Sequence, residues 1–348
     1  MSTKPYIIAG PCSAETEEQT IATAKKLQRS GQIDVFRAGI WKPRTNPGGF
    51  EGIGLIGLSW LLNVKKETGL KTGVEVATAE HVNNALQFDT DVLWIGARTT
   101  VNPFSVQEIA DALRGTKVKV LIKNPVNPDL KLWMGAYERL QKVGIEDIGL
   151  IHRGFTSPVP TGFRNAPMWQ IPIEVRRLLP DVPMLIDPSH ICGARERLQE
   201  VTQHALNLGY EGAMIETHID PENAWTDKDQ QITPEVLSNL ISELVPRSSD
   251  GELSYQQVLG TFRDQINLMD NELLQLLKNR MAIAMKIGEL KKQNQVTVYQ
   301  TGRWNEILQK SISQGQQLGL GEEFIRGMME LIHLESIRKQ EEVIDKVQ

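Results

Sequence analysis

The chain has 348 residues, a charged fraction of 23% and a formal net charge of -5, a profile of a globular protein with room for one large domain and one small one. Its basic residues are dispersed rather than run together, so no nucleic acid is expected as a partner. Cys12 and Cys192 are too few for a disulfide framework, the N-terminus carries no leader pattern, and no apolar stretch approaches the roughly 20 residues of a membrane span, so a cytoplasmic protein with no membrane partner is expected.

In chain order, short apolar runs at 6–9, 35–36, 73–76, 92–95, 118–122, 148–151, 184–186 and 212–215 alternate with helical segments at 16–30, 54–68, 79–88, 105–113, 135–143, 172–179, 195–208 and 234–244. Regular βα alternation of this length predicts an α/β fold with a parallel sheet, and eight units close into a (β/α)8 TIM barrel. A doubly wound open sheet is the runner-up, disfavoured because no Gly-x-Gly-x-x-Gly turn follows the first run. The runs lead to residues that bind phosphate, carboxylate or metal: Cys12, Arg37, Glu75, Arg98, Lys123, Arg153, Asp187 with His190, and Glu216. In a barrel these are neighbours on one face.

After Leu244 the composition changes, and Pro246 to Gly251 read as turn formers. The expected division is a barrel over 1–246, a linker over 247–253 and a small all-α domain over 254–348. Ser254 with Gln257 fits a capping box. Positions 259, 262, 266, 269, 273, 276, 280, 283, 287 and 290 then recur at steps of three and four, which predicts one amphipathic helix of about ten turns. Further helices are expected over 303–314 and 322–346.

Arg37, Lys42, Arg98, Lys123 and Arg153 would converge on one barrel cavity, at a cost of several kcal/mol of self-repulsion unless a multiply charged anion fills it. Taken singly, each reads more simply as a solvated charge. Lys42-Pro43-Arg44-Thr45 offers two cations and a hydroxyl around a phosphate. Cys12, His190, Glu216 and Asp227 form a mixed sulfur, nitrogen and oxygen set that suits a divalent transition metal without choosing among Mn, Fe, Co and Zn. Each of the four also reads as a packing, hydrogen-bonding or ion-pair residue, and Cys192 reads as packing. His152 and His218 lie near strand ends, within reach of a substrate. In the tail, Arg280 sits on the apolar seam, where a guanidinium needs an acid or an anionic ligand. Arg263, Lys291 and Arg303 add cations, and Ser336 and Gln340 continue the Met328 and Ile332 face at steps of four.

Gly10-Pro11-Cys12-Ser13-Ala14-Glu15, Lys42-Pro43-Arg44-Thr45, Ile95-Gly96-Ala97-Arg98, Asp187-Pro188-Ser189-His190 and Ile215-Glu216-Thr217-His218 together resemble the type I 3-deoxy-D-arabino-heptulosonate 7-phosphate (DAHP) synthases, in the short-core beta subgroup. The related octulosonate 8-phosphate synthases carry an Asn-containing motif in place of the Lys42 tetrapeptide, so erythrose 4-phosphate is favoured over arabinose 5-phosphate as the aldehyde. The resemblance implies a divalent metal, Mn2+ before Fe2+, Co2+ or Zn2+, on Cys12, His190, Glu216 and Asp227, polarising that aldehyde for attack by phosphoenolpyruvate. It implies that Ala97, Arg98, Lys123 and Arg153 hold the phosphoenolpyruvate phosphate, that Arg37 and Lys42 lie at its carboxylate, and that Pro43, Arg44 and Thr45 hold the other phosphate. Glu75 positions water or offsets charge. Lys123-Asn124-Pro125 departs from the Lys-Arg-Gly of many relatives.

Residues 254–348 resemble the all-helical chorismate mutases, with Arg263, Arg280, Lys291, Arg303, Ser336 and Gln340 at matching positions. That resemblance implies a cage for chorismate and its product prephenate. Arginines clamp two carboxylates, and Lys291 and Gln340 donate to the ether oxygen. Gln300 and Trp304 stand where some relatives carry acids that recognise the substrate hydroxyl. A homodimer through the helical domain is expected, with Arg263 reaching the neighbour's site. Feedback of chorismate or prephenate on the barrel is a further expectation.

Overall fold

The computed structural model describes residues 4–42, 50–247 and 253–345. Two compact units divide the chain, Met1–Ser249 and Asp250–Gln348. In the first, β1 (Tyr6–Gly10), β2 (Val35–Arg37), β3 (Lys71–Val76), β4 (Val92–Ile95), β5 (Lys119–Lys123), β6 (Ile148–His152), β7 (Met184–Ile186) and β8 (Gly212–Glu216) pair in parallel, in sequence order, and close into a barrel. Closure is made by β1 on β8, with Tyr6 opposite Gly212 and Gly10 opposite Glu216.

Crossover helices α1 (Glu17–Ser30), α2 (Ile56–Thr68), α3 (Ala79–Gln87), α4 (Ala97–Thr100), α5 (Pro103–Leu113), α6 (Leu130–Lys142), α7 (Gln170–Leu178), α8 (Pro188–Cys192), α9 (Leu198–Asn207) and α10 (Pro234–Glu243) surround it. Several start where a polar side chain satisfies free N–H groups. Thr16 accepts from Gln19 N, Asn102 from Ser105 N, Asp129 from Leu132 N and Thr233 from Val236 N. Helix α6 therefore begins five residues before the expected start at Gly135, a glycine with open space around it.

Because side chains alternate along a strand, the barrel has two apolar layers. Ile7, Ala9, Phe36, Val74, Leu93, Val120, Leu150 and Ala213 pack outward with the helices. Ile8, Val35, Trp94, Leu121, Ile151, Leu185 and Met214 form a separate plug inside. Two residues further along each strand direction stand Arg37, Lys123, Arg153, Asp187 and Glu216, all buried. Period two thus stacks a charged layer directly on an apolar floor at the C-terminal ends of the strands.

The second unit consists of α11 (Leu253–Gln293), α12 (Thr301–Gln317) and α13 (Glu322–Ile344). At 41 residues α11 exceeds the expected ten turns, because it runs through both Gly260 and Gly288. The expected capping box of Ser254 with Gln257 falls on a side chain that lies outside the described residues. Residues 248–252 of the expected linker lie outside them too. Leu308, Ile312 and Ile325 make the unit's small core. The expected seam of α11 is not covered within the unit: Phe262, Ile266, Met269, Leu273 and Leu276 are each at least half exposed.

Candidate active sites

Trp94 organises the barrel site. Its ring fills the space that Gly73 leaves, its Nε1 donates to Glu75 Oε2 at 2.9 Å, and both Arg37 (5.0 Å to the centroid) and Lys123 (5.9 Å) lie over it. Glu75 is inside β3 rather than beyond it, and its carboxylate occupies the place where a Cβ on Gly96 would fall, 2.2 Å from Oε1. Gly96 of the Ile-Gly-Ala-Arg motif thus leaves room for an acid from the neighbouring strand.

The expected cations do not all remain unpaired. Arg37 Nη1 lies 3.4 Å from Glu216 Oε1, and Lys123 Nζ lies 2.8 Å from Asp187 Oδ2. Burial works to raise the Asp187 carboxyl, but the charges of His190 and Lys123 outweigh it and hold it well below the usual carboxylate range. Arg98 and Arg153 form no ion pair among the described residues. Arg153 donates to Asn165 Oδ1 at 2.7 Å, and burial, reinforced by Arg98 and Arg164, depresses its pKa to about 10. Arg98 is exposed beside the buried Ala97, at the start of α4. A buried guanidinium facing two more is an arrangement that an anion would relieve.

Asn124, the departure from Lys-Arg-Gly, has a structural role. It accepts from Arg153 N at 2.7 Å and donates to the Gly154 carbonyl at 2.7 Å, fastening the strand end that carries Arg153. The sequence reading missed Arg164, whose Nη1 reaches Asp227 Oδ1 at 2.9 Å and Gln230 Oε1 at 2.6 Å. It lies in a loop without periodicity, and no signal marked it. Pro43, Arg44 and Thr45 lie outside the described residues.

The four expected metal ligands meet as two pairs. Cys12 Sγ lies 3.2 Å from Asp227 Oδ2, and His190 Nε2 lies 3.9 Å from Glu216 Oε1. Among the described residues no three His, Cys, Asp or Glu side chains form a coordination group. Each pair is met by a cation, Lys42 Nζ donating to Cys12 Sγ at 2.9 Å and Arg37 Nη1 lying 3.4 Å from Glu216 Oε1. The donor set still fits a divalent metal. Glu216 Oε1 is enclosed without a hydrogen-bond partner, and burial pushes the Cys12 thiol up to about 12, which a bound cation would reverse. Asp227 is also held at φ 46, a left-handed conformation that costs a non-glycine residue of order 1–3 kcal/mol.

His152 does not face the site. His152 Nε2 bonds to the Pro167 carbonyl at 2.7 Å and Tyr210 Oη to its Nδ1 at 3.1 Å, among the rings of Phe155 and Trp169. His218 is buried against Glu15 at 3.4 Å. Strand alternation accounts for His152, since Arg153 next to it takes the inward direction. Cys192 is half-buried against the outer core, as expected for packing.

In the helical unit a cavity of about 480 Å³ is lined by, among others, Arg280, Lys291, Gln300, Arg303, Trp304 and Gln340. Arg280 donates to Ser336 Oγ and meets no acid among the described residues. Burial lowers its pKa and that of Lys291, whose Nζ donates to the Val298 carbonyl at 2.6 Å. Arg303 is exposed and pairs with Glu306 at 3.0 Å. Arg263 is exposed on α11 outside the cavity, 17 residues or roughly 25 Å before Arg280. Arg280 and Lys291 are thus half-buried cations with neutral partners, an arrangement that an anion would complete.

The family model of the DAHP synthetase I family matches residues 2–248. The chain belongs to that family. Residues 262–341 match the chorismate mutase type II model, so this DAHP synthase carries a mutase domain in the same polypeptide and is a bifunctional enzyme of the shikimate pathway. The synthase is 29% identical over 238 residues to the phospho-2-dehydro-3-deoxyheptonate aldolase of Thermotoga maritima, covering 68% of each protein. The crystal structure of the T. maritima DAHP synthase superposes at a TM-score of 0.61 and 27% identity, covering 68% of this chain and 67% of that one. A 2-dehydro-3-deoxyphosphooctonate aldolase of Nitratidesulfovibrio vulgaris is 26% identical over 262 residues, covering 70% of this chain and 92% of the relative.

Proposed function

We propose that the barrel condenses phosphoenolpyruvate with erythrose 4-phosphate, using Arg98, Arg153 and Lys123, with Ala97 beside them, for the phosphoenolpyruvate phosphate. Arg37 and Lys42 hold its carboxylate end, and Pro43, Arg44 and Thr45 take the aldehyde's phosphate. The unpaired, crowded guanidinium of Arg153 is the observation that carries this reading. Cys12, His190, Glu216 and Asp227 would hold a divalent metal, with Mn2+ the metal proposed, which supplies Lewis-acid chemistry at the aldehyde. Glu75, fixed by Trp94 among cations, orients the water that adds at C2 or offsets the charge developing there. The octulosonate reading has a relative in its favour. Phosphoenolpyruvate consumption with erythrose 4-phosphate but not with arabinose 5-phosphate supports the first reading, and the reverse supports the second.

In the helical domain Arg280 and Arg303 clamp the chorismate carboxylates, Lys291 and Gln340 donate to the ether oxygen, and Ser336 holds Arg280 in place. Arg263 completes a neighbour's cage in a homodimer formed on the uncovered α11 seam. A rival reading makes this domain a sensor without turnover, and chorismate consumption by the full chain decides against it. Prephenate or chorismate at the Arg280 cavity also slows the barrel, and unchanged synthase kinetics at saturating prephenate would reject that coupling. No described helix is long and apolar enough to cross a membrane. A cytoplasmic setting, with neither nucleic acid nor membrane as partner, completes the reading.

A further inference from the structure

The mutase reading assigns the two carboxylates and the ether oxygen of chorismate but leaves its ring hydroxyl without a partner. No carboxylate lines the cavity among the described residues. Ser336 Oγ is satisfied, donating to the Ile332 carbonyl at 2.7 Å and accepting from Arg280. Gln300 is exposed and holds no enclosed unpaired atom. Two lining residues hold an enclosed polar atom with no hydrogen-bond partner: Gln340 at Oε1 and His333 at Nε2. An enclosed polar atom left unpaired costs free energy unless a ligand completes it.

Gln340 Oε1 can only accept, and its Nε2, which donates to the Ser336 carbonyl at 3.2 Å, keeps a second hydrogen for the ether oxygen. His333 Nε2 is the orphan atom able to meet a hydroxyl in either sense. Its imidazole stacks on Trp304 with centroids 4.1 Å apart and planes 9° from parallel, and Tyr299 flanks it at 6.0 Å. Trp304 thus occupies an acid's position in some relatives while fixing a histidine from the facing helix. Burial first, then the charges of Arg280 and Lys291, lower the His333 pKa and favour the neutral ring. A neutral imidazole can meet a hydroxyl as donor or acceptor.

We propose that His333, held by Trp304, reads the ring hydroxyl of chorismate, a specificity contact that rests on the mutase reading. The test is the ratio of kcat/KM for chorismate to kcat/KM for the analogue with hydrogen in place of that hydroxyl, measured on the full chain. Being a ratio within one variant, it does not depend on how much of that variant folds. His333→Phe keeps the stack and removes the nitrogens, and the ratio should fall about tenfold. His333→Gln restores a polar group near Nε2 and should keep the ratio within about threefold of the wild type. An unchanged ratio in His333→Phe, or an equal fall in His333→Gln, overturns the proposal. A wild-type chain that turns over neither compound overturns the mutase reading and this contact with it.

Discussion

At the scale of the residue, Trp94 combines three functions: it fills the barrel, donates to Glu75 and supports two cations. Trp94→Phe keeps the bulk and ring face but removes the one side-chain hydrogen bond to Glu75 among the described residues. A bond to a charged acceptor contributes about 1.5–3 kcal/mol, so kcat for DAHP formation should fall at least tenfold while KM for phosphoenolpyruvate changes little. Steady-state kinetics check this, and an unchanged kcat would remove Glu75 positioning from the account. Much of the barrel site was legible at this scale. Cys12, Arg37, Lys123, Asp187, His190 and Glu216 lie at or just past strand ends, because the alternation that makes a strand also sets which residue points inward. Trp94 was not legible, since a tryptophan within an apolar run looks like filler. Nor was the pairing of Lys123 with Asp187, residues 64 apart in sequence that only barrel closure brings together.

At the scale of the element, the order of strands and helices followed from periodicity, while boundaries depended on capping chemistry. Asp129 caps α6 six residues before Gly135, a glycine that suggested a start but is simply tolerated in the helix. The α11 seam was legible as a pattern but not as a partner. Steps of three and four predicted burial, yet Phe262, Ile266, Met269 and Leu273 are uncovered within their own unit. A second copy is the proposed cover, and Leu273→Glu places a charge in its middle. Losing one buried leucine costs about 1.5–3 kcal/mol before any desolvation of the new carboxylate, so dimer affinity should fall more than tenfold. Sedimentation velocity checks this. Mutase activity should fall with the dimer, because Arg263 would no longer reach a neighbour.

At the scale of the whole molecule, stability against acid is tied to a histidine outside both sites. Burial lowers the His152 pKa to about 3, so the folded barrel keeps this ring neutral while the unfolded chain protonates it below about 6.5. Between those values the unfolded state binds the extra proton, and the stability supplied by the neutral, doubly hydrogen-bonded ring is lost as pH falls through that window. The barrel's melting temperature should drop from pH 7 to pH 4, with a loss on the order of a few kcal/mol from this group. His152→Asn should lower stability at pH 7 yet flatten that slope in thermal scans. An equally steep slope in the variant would assign the acid sensitivity elsewhere.

On the proposed reading one chain holds two separate cages for anions, a metal-dependent one at the mouth of the barrel and a metal-free one among the helices. Both reactions should therefore be assayed on the same purified chain before and after treatment with a chelator. The prediction is that DAHP formation disappears and returns with added Mn2+, while chorismate consumption is unaffected. Loss of both activities together, or survival of DAHP formation without metal, would contradict it.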